Sequence, residues 1–134
     1  MDDLRTDNLK KAVEALNKSI NDYDKNKESE LSETLRSGVI HNFETAYEVC
    51  WKFMQRLIEV NLNLGITKIS KKEFYRVCAE NELISDVRKW WFFNESRNKT
   101  SHVYLDSVAE EVLAAAYDFL PEAVKLIKTV EEIK

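Results

Sequence analysis

Apolar residues recur at spacings of three and four along most of the chain. Leu9, Val13, Leu16, Ile20 and Tyr23 line one face of a first helix, predicted over residues 3–27. The polar run Lys25-Asn26-Lys27-Glu28-Ser29-Glu30 breaks it. A longer second helix is predicted over 31–63. Its face carries Leu35, Val39, Phe43, Ala46, Cys50, Met54 and Leu57, widened by Ile40, Tyr47 and Trp51, and Gly65 is a natural stop. Ser70-Lys71-Lys72-Glu73 has the form of a capping box and opens a short third helix with Phe74, Val77 and Cys78. A fourth helical stretch, 84–98, carries Val87, Trp90, Trp91 and Phe93. Ser107-Val108-Ala109-Glu110 reads as a second capping box. It opens a last helix with Val108, Val112, Ala115, Ala116, Phe119, Ala123, Ile127 and Val130 inward. Pro121 is expected to kink or divide that helix, because it lacks an N–H and crowds the preceding turn. The pattern predicts an all-α fold: one domain spanning 1–134, an antiparallel four-helix up-and-down bundle with a short extra helix.

Composition narrows this further. Two Gly and one Pro leave almost no turn residues for sheets or long loops, and 44% hydrophobic residues supply a core. No stretch approaches the roughly 20 apolar residues that span a bilayer, so no membrane association is expected. Met1-Asp2-Asp3-Leu4-Arg5 lacks an apolar signal region. A cytoplasmic location is expected, with Cys50 and Cys78 as reduced core thiols rather than a disulfide. Net charge of −4 argues against broad nucleic-acid binding, yet residues 65–101 hold eight Lys/Arg and five acids, a local +3 against −7 elsewhere. That segment can receive a phosphate-bearing ligand or be an ordinary solvated face.

Arg97 and His102 lie in that basic stretch. Arginine offers an always-charged planar fork for phosphate oxygens, and histidine moves protons near neutral pH. Held on one phosphate, the pair suits metal-independent RNA cleavage by a neighbouring 2′-hydroxyl. Spacing alone carries little, since Arg36 and His41 share it. Placement separates the pairs. Within a continuous helix five residues turn about 500°, so the side chains of Arg36 and His41 diverge by about 140°. Arg97 and His102 flank an expected turn, which can bring them together. His41, Glu44 and Glu48 share one helical stripe, readable as an incomplete metal site or a solvated, partner-facing face. No metal site and no cofactor are expected. Trp90-Trp91-Phe92-Phe93 is too dense for one core face, so one or two rings are free for an interface or for stacking on a base. Trp90 and Lys99 are accordingly expected to bind substrate. Tyr104 lies two residues past His102.

Arg36-Ser37-Gly38-Val39-Ile40-His41-Asn42-Phe43-Glu44, then Tyr47-Glu48-Val49-Cys50-Trp51-Lys52, then Leu83-Ile84-Ser85-Asp86, Trp90 and Arg97-Asn98-Lys99-Thr100-Ser101-His102-Val103-Tyr104 form ordered blocks. Over nearly the whole chain they resemble the bacterial and archaeal nucleotidyltransferase substrate-binding proteins, in the HEPN superfamily of helical bundles. The resemblance implies a cognate minimal nucleotidyltransferase (MNT) as partner and a homodimer bringing two motifs to one cleft. It implies one of two roles. The first is a toxin, a metal-independent ribonuclease acting on an RNA substrate through Arg-x4-His-x-Tyr and silenced when the partner transfers AMP to the motif tyrosine. Arg97 then stabilises phosphate charge, His102 transfers protons, Asn98 orients the phosphate or His102, and Tyr104 is the modified residue. The second role is a non-catalytic subunit presenting substrate to the nucleotidyltransferase. The chain departs from the family at His41-Asn42, where Gln-Arg is common, and at Thr45, where a bulkier residue is common. The departures put nucleotide or partner contacts of that helix in question.

Overall fold

The structure, a computed structural model, describes residues 6–61 and 69–133. Among the described residues five α-helices form: α1 (Asp7–Lys25), α2 (Ser32–Asn61), α3 (Lys71–Glu80), α4 (Val87–Asn98) and α5 (Asp106–Ile133). No strand occurs among the described residues. The expected stop at Gly65 and the far end of the second predicted helix lie outside them.

The apolar stripes fold as their spacing dictates. Leu9, Val13, Leu16 and Ile20 are buried along α1, and Val39, Phe43, Ala46, Cys50, Met54 and Leu57 along α2. The short Asn26–Leu31 connection turns α2 back against α1. The long α5 packs on α1, α2 and α4, while α3 pairs with α4 as the short extra helix. Phe119 of α5 centres an aromatic core, edge-on to Phe43, Trp90 and Phe93 at centroid distances of 5.4, 5.6 and 5.2 Å. Tyr47 and Tyr75 hydrogen-bond through their hydroxyls, and Tyr47 Oη donates to Asn94 Oδ1 at 3.1 Å, so the buried polar atoms here are paired.

Helix ends test the capping signals. Ser70 does cap α3, accepting from the Glu73 N–H at 3.1 Å. α3 ends with Leu83 N–H on the Cys78 carbonyl at 2.9 Å and Glu82 N–H on Ala79 at 3.0 Å. Glu82 takes the left-handed conformation there, φ 63°, where glycine is usual. The fourth helix starts at Val87 rather than 84, because Asp86 caps it by accepting from Lys89 N–H at 3.2 Å. Leu83 and Ile84 are buried in the loop instead, and that apolarity resembles a helical signal.

The second capping box is not used as such. α5 begins at Asp106, with Val108 and Ala109 N–H groups both on the Leu105 carbonyl, so Ser107 lies inside the first turn. The expected division at Pro121 does not occur either. α5 continues through it, with Pro121 exposed and apolar residues on both sides buried in the core. The packing of Phe119, Ala123 and Leu126 offsets the lost N–H bond.

Candidate functional site

α4 ends at Asn98, and the chain tightens into one 3₁₀ turn, Lys99–His102, before Val103–Leu105 lead into α5. Arg97 occupies the last turn of α4 and His102 closes the 3₁₀ turn. Thr100 ties the turn to the helix, its Oγ1 lying 2.8 Å from the Arg97 carbonyl. The Leu105 N–H closes the exit on the His102 carbonyl at 3.1 Å.

Arg97 is held from across the bundle. Its Nε donates to Glu48 Oε1 at 3.0 Å, and its Nη1 sits 3.2 Å from Glu44 Oε2. Nη1 also donates to Thr100 Oγ1 at 3.3 Å, and that hydroxyl lies 3.2 Å from Glu44 Oε2. All three charged side chains remain about one-third exposed, so each ion pair stabilises the fold by about 1 kcal/mol or less. Their larger consequence is orientation, because a guanidinium gripped at two nitrogens cannot swing.

Lys71 completes the cluster. Its ammonium lies 4.1 Å from the Trp51 ring centroid and 5.6 Å from that of Tyr47. Burial pushes its pKa below the ordinary lysine value, with Glu48 opposing and Arg97 adding to the effect. Trp51 Nε1 donates to Glu48 Oε2 at 3.3 Å, which ties the ring under Lys71 to the carboxylate that holds Arg97.

His102 and Tyr104 face solvent. Tyr104 is 73% exposed, and its ring meets His102 edge-on at 6.1 Å. Asn98 and Lys99 are also exposed, with Lys99 Nζ 3.1 Å from Glu111 Oε2 of α5. No hydrogen bond among the described residues joins Arg97 to His102. The turn brings them to one short segment rather than into contact.

The expected role of Trp90 needs correction. It is 1% exposed, enclosed by Tyr75, Phe93 and Phe119, and cannot stack on a base. Phe93 is likewise core. Trp91 is half-buried beneath the Lys72 ammonium, and Phe92 is the exposed ring of the run. The basic character of the segment is also muted, since Arg97, Lys99 and Lys89 each meet carboxylates of α2 or α5.

Glu44 and Glu48 have a role that the sequence does not reveal, and neither solvation nor metal binding describes them. They grip Arg97. Their i, i+4 spacing on α2 was the available signal, but their partner lies 49 and more residues away and only the fold reveals it. Arg36 and His41 both line one cleft with Thr100 and Val103 of the motif segment. Among the described residues, no group of three or more His, Cys, Asp or Glu side chains is placed to hold a metal ion. No described helix is long and apolar enough to cross a membrane.

These features define an all-helical bundle that presents a histidine and a tyrosine on a short turn, beside an arginine fixed by two carboxylates of its second helix. The chain belongs to the nucleotidyltransferase substrate binding protein like family, whose profile matches residues 4–132. It is similar to a Haemophilus influenzae protein named probable ribonuclease HepT, at 32% identity over 105 residues, covering 76% of this chain and 71% of the relative. The fold matches a solved Haemophilus influenzae structure, the substrate-binding domain of a nucleotidyltransferase, with a TM-score of 0.84 and 29% identity over 95% of this chain and 99% of that one. The family and the all-α bundle read from the sequence are both borne out.

Proposed function

We propose that this chain is a metal-independent endoribonuclease, the toxin of a two-protein system whose minimal nucleotidyltransferase silences it by AMP transfer to Tyr104. The observation that carries this reading is the exposed His102–Tyr104 pair on the turn just after a fixed Arg97. The name of the Haemophilus influenzae relative supports it.

In this reading RNA lies across the turn, with one phosphate against Arg97 and its neighbours steadied by Asn98 and Lys99. The 2′-oxygen forms a bond to phosphorus and loses its proton, the bond from phosphorus to the 5′-oxygen breaks, and that oxygen gains a proton. His102 carries out proton transfer, and Arg97 stabilises the charge that builds on the phosphoryl oxygens. The product ends in a 2′,3′-cyclic phosphate. For silencing, Tyr104 Oη attacks the α-phosphorus of ATP, loses its proton, and pyrophosphate leaves. The attached phosphate then competes with RNA for Arg97. A homodimer bringing two turns together belongs to the same reading, and the exposed Leu105 beside Tyr104 supplies apolar surface for it.

A second reading, a binding subunit that presents substrate to the nucleotidyltransferase, is favoured by one observation. Glu44 and Glu48 already match the charge of Arg97, which weakens its hold on a phosphate. An RNA cleavage assay in EDTA decides. Cyclic-phosphate products from the unmodified protein support the ribonuclease, and intact RNA leaves the binding subunit.

A further inference from the structure

Lys71 opens α3 and is half-buried beside α2. Its ammonium lies 4.1 Å from the Trp51 ring centroid and enters no ion pair or hydrogen bond among the described residues. Lys99, Lys89 and Lys52 differ, each reaching a carboxylate at 3.1, 3.5 and 3.9 Å. Lys71 has a like charge for a neighbour instead. Burial lowers its pKa, Glu48 opposes that shift and Arg97 adds to it, so the two cations feel one another.

Arg97 has a nitrogen to match. Its Nε meets Glu48, its Nη1 meets Glu44 and Thr100, and its Nη2 has no partner among the described residues. Both spare groups are open to solvent. Among the described residues the only buried side-chain nitrogen or oxygen without a hydrogen-bond partner is Arg36 Nε, so neither Lys71 Nζ nor Arg97 Nη2 is closed off. The acid that both cations feel is engaged at each oxygen, Glu48 Oε1 by Arg97 Nε and Oε2 by Trp51 Nε1. Two neighbouring cations with N–H groups to spare are best relieved by an anion from outside the chain. A phosphodiester suits them, because a guanidinium and an ammonium both donate charge-assisted hydrogen bonds to phosphate oxygens.

We propose that Lys71 is a second backbone contact of the RNA site, taking the phosphate next to the one on Arg97. The strand then runs from the turn past Trp51 to the start of α3, while Asn98 and Lys99 border it on the α5 side. Such a contact fixes the path of the strand and reads no base. The inference rests on the reading of the turn as an RNA site, and it adds α3 to that site.

The salt dependence of binding tests it, apart from cleavage. A short labelled single-stranded RNA of mixed sequence is titrated by fluorescence anisotropy into the full chain carrying His102→Ala, which keeps the RNA intact, at several salt concentrations. Each phosphate contact on a single strand adds about 0.7 to the slope of log affinity against log salt. Lys71→Gln should weaken binding and lower the slope by about that amount. Lys71→Arg keeps the charge and should keep the slope. Lys128→Gln removes an equal charge near the far end of α5 and should leave the slope unchanged. An undiminished slope in Lys71→Gln, an equal fall in Lys128→Gln, or a Lys71→Arg chain that behaves like Lys71→Gln overturns the contact. If the slope falls as expected while the wild-type chain cuts no RNA, the contact stands and the ribonuclease reading falls. If RNA is cut and the slope ignores Lys71, the contact alone falls. If RNA is neither bound nor cut, both fall.

Discussion

Arg36–His41 and Arg97–His102 share a spacing and, in the fold, a style of anchoring. Each arginine is gripped by two carboxylates of another helix: Arg36 of α2 by Asp106 and Glu110 of α5, Arg97 of α4 by Glu44 and Glu48 of α2. The backbone beyond each arginine differs. After Arg36 the helix continues and His41 stays on its regular surface. After Arg97 the helix ends, the chain tightens, and His102 emerges beside an exposed tyrosine. The grip differs in the nitrogen it leaves over. Arg36 commits both terminal nitrogens to its acids and leaves a buried Nε, whereas Arg97, about one-third exposed, uses Nε and Nη1, and its terminal Nη2 enters neither ion pair. Backbone termination, not residue spacing, separates a structural pair from a candidate site.

The largest effect expected is at the turn. His102→Ala should lower the RNA cleavage rate by the roughly 10²–10⁴ that loss of an acid/base group costs, and Arg97→Ala by a similar factor. His41→Ala should change the rate little, because α2 continues past His41 and the residue lies off the turn. Equal losses at the two histidines, read in kcat, would erase the distinction between the pairs.

Glu48→Gln comes next. It loosens the grip on Arg97 and removes a competing negative charge. Turnover should fall by up to roughly 10²-fold through misplacement of the guanidinium, while KM falls as well. Steady-state kinetics separate the two parameters, and a binding subunit would show only the tighter association.

Gly38 stands between Arg36 and His41 inside α2, and a Cβ built there meets nothing within 4 Å. Gly38→Ala should therefore stabilise the protein by roughly 0.5–1 kcal/mol, the usual helical cost of glycine. A rise in the denaturation midpoint at unchanged slope checks it. Smallest is Asp106→Asn, which weakens one arm of the Arg36 clasp. Asp106 is 81% exposed, so a loss of only a few tenths of a kcal/mol is expected, readable in the same titration.

Much of the bundle was legible because period-3.6 stripes decide which face is buried. Val39, Phe43, Ala46 and Cys50 needed no tertiary knowledge. The motif segment was legible as well, since Gly-poor helices on either side leave the turn exposed in the pattern. Ser107 as a cap and Pro121 as a divider misled for one reason. Both are local signals, and the packing of Val112, Phe119 and Ala123 with the Leu105 carbonyl as first acceptor outweighed them. Trp90 misled because an aromatic run does not say which ring faces inward. The grip of Glu44 and Glu48 on Arg97 was not legible, because a pair so distant in sequence exists only once α2 and α4 are packed.

Whether the turn carries the chemistry is decided by end-group analysis of RNA cut by the unmodified protein in EDTA. Termini bearing 2′,3′-cyclic phosphate are expected from the wild-type chain, and His102→Ala should lose them. Products bearing 3′-hydroxyl ends, or cyclic ends that persist undiminished in His102→Ala, would contradict a catalytic turn.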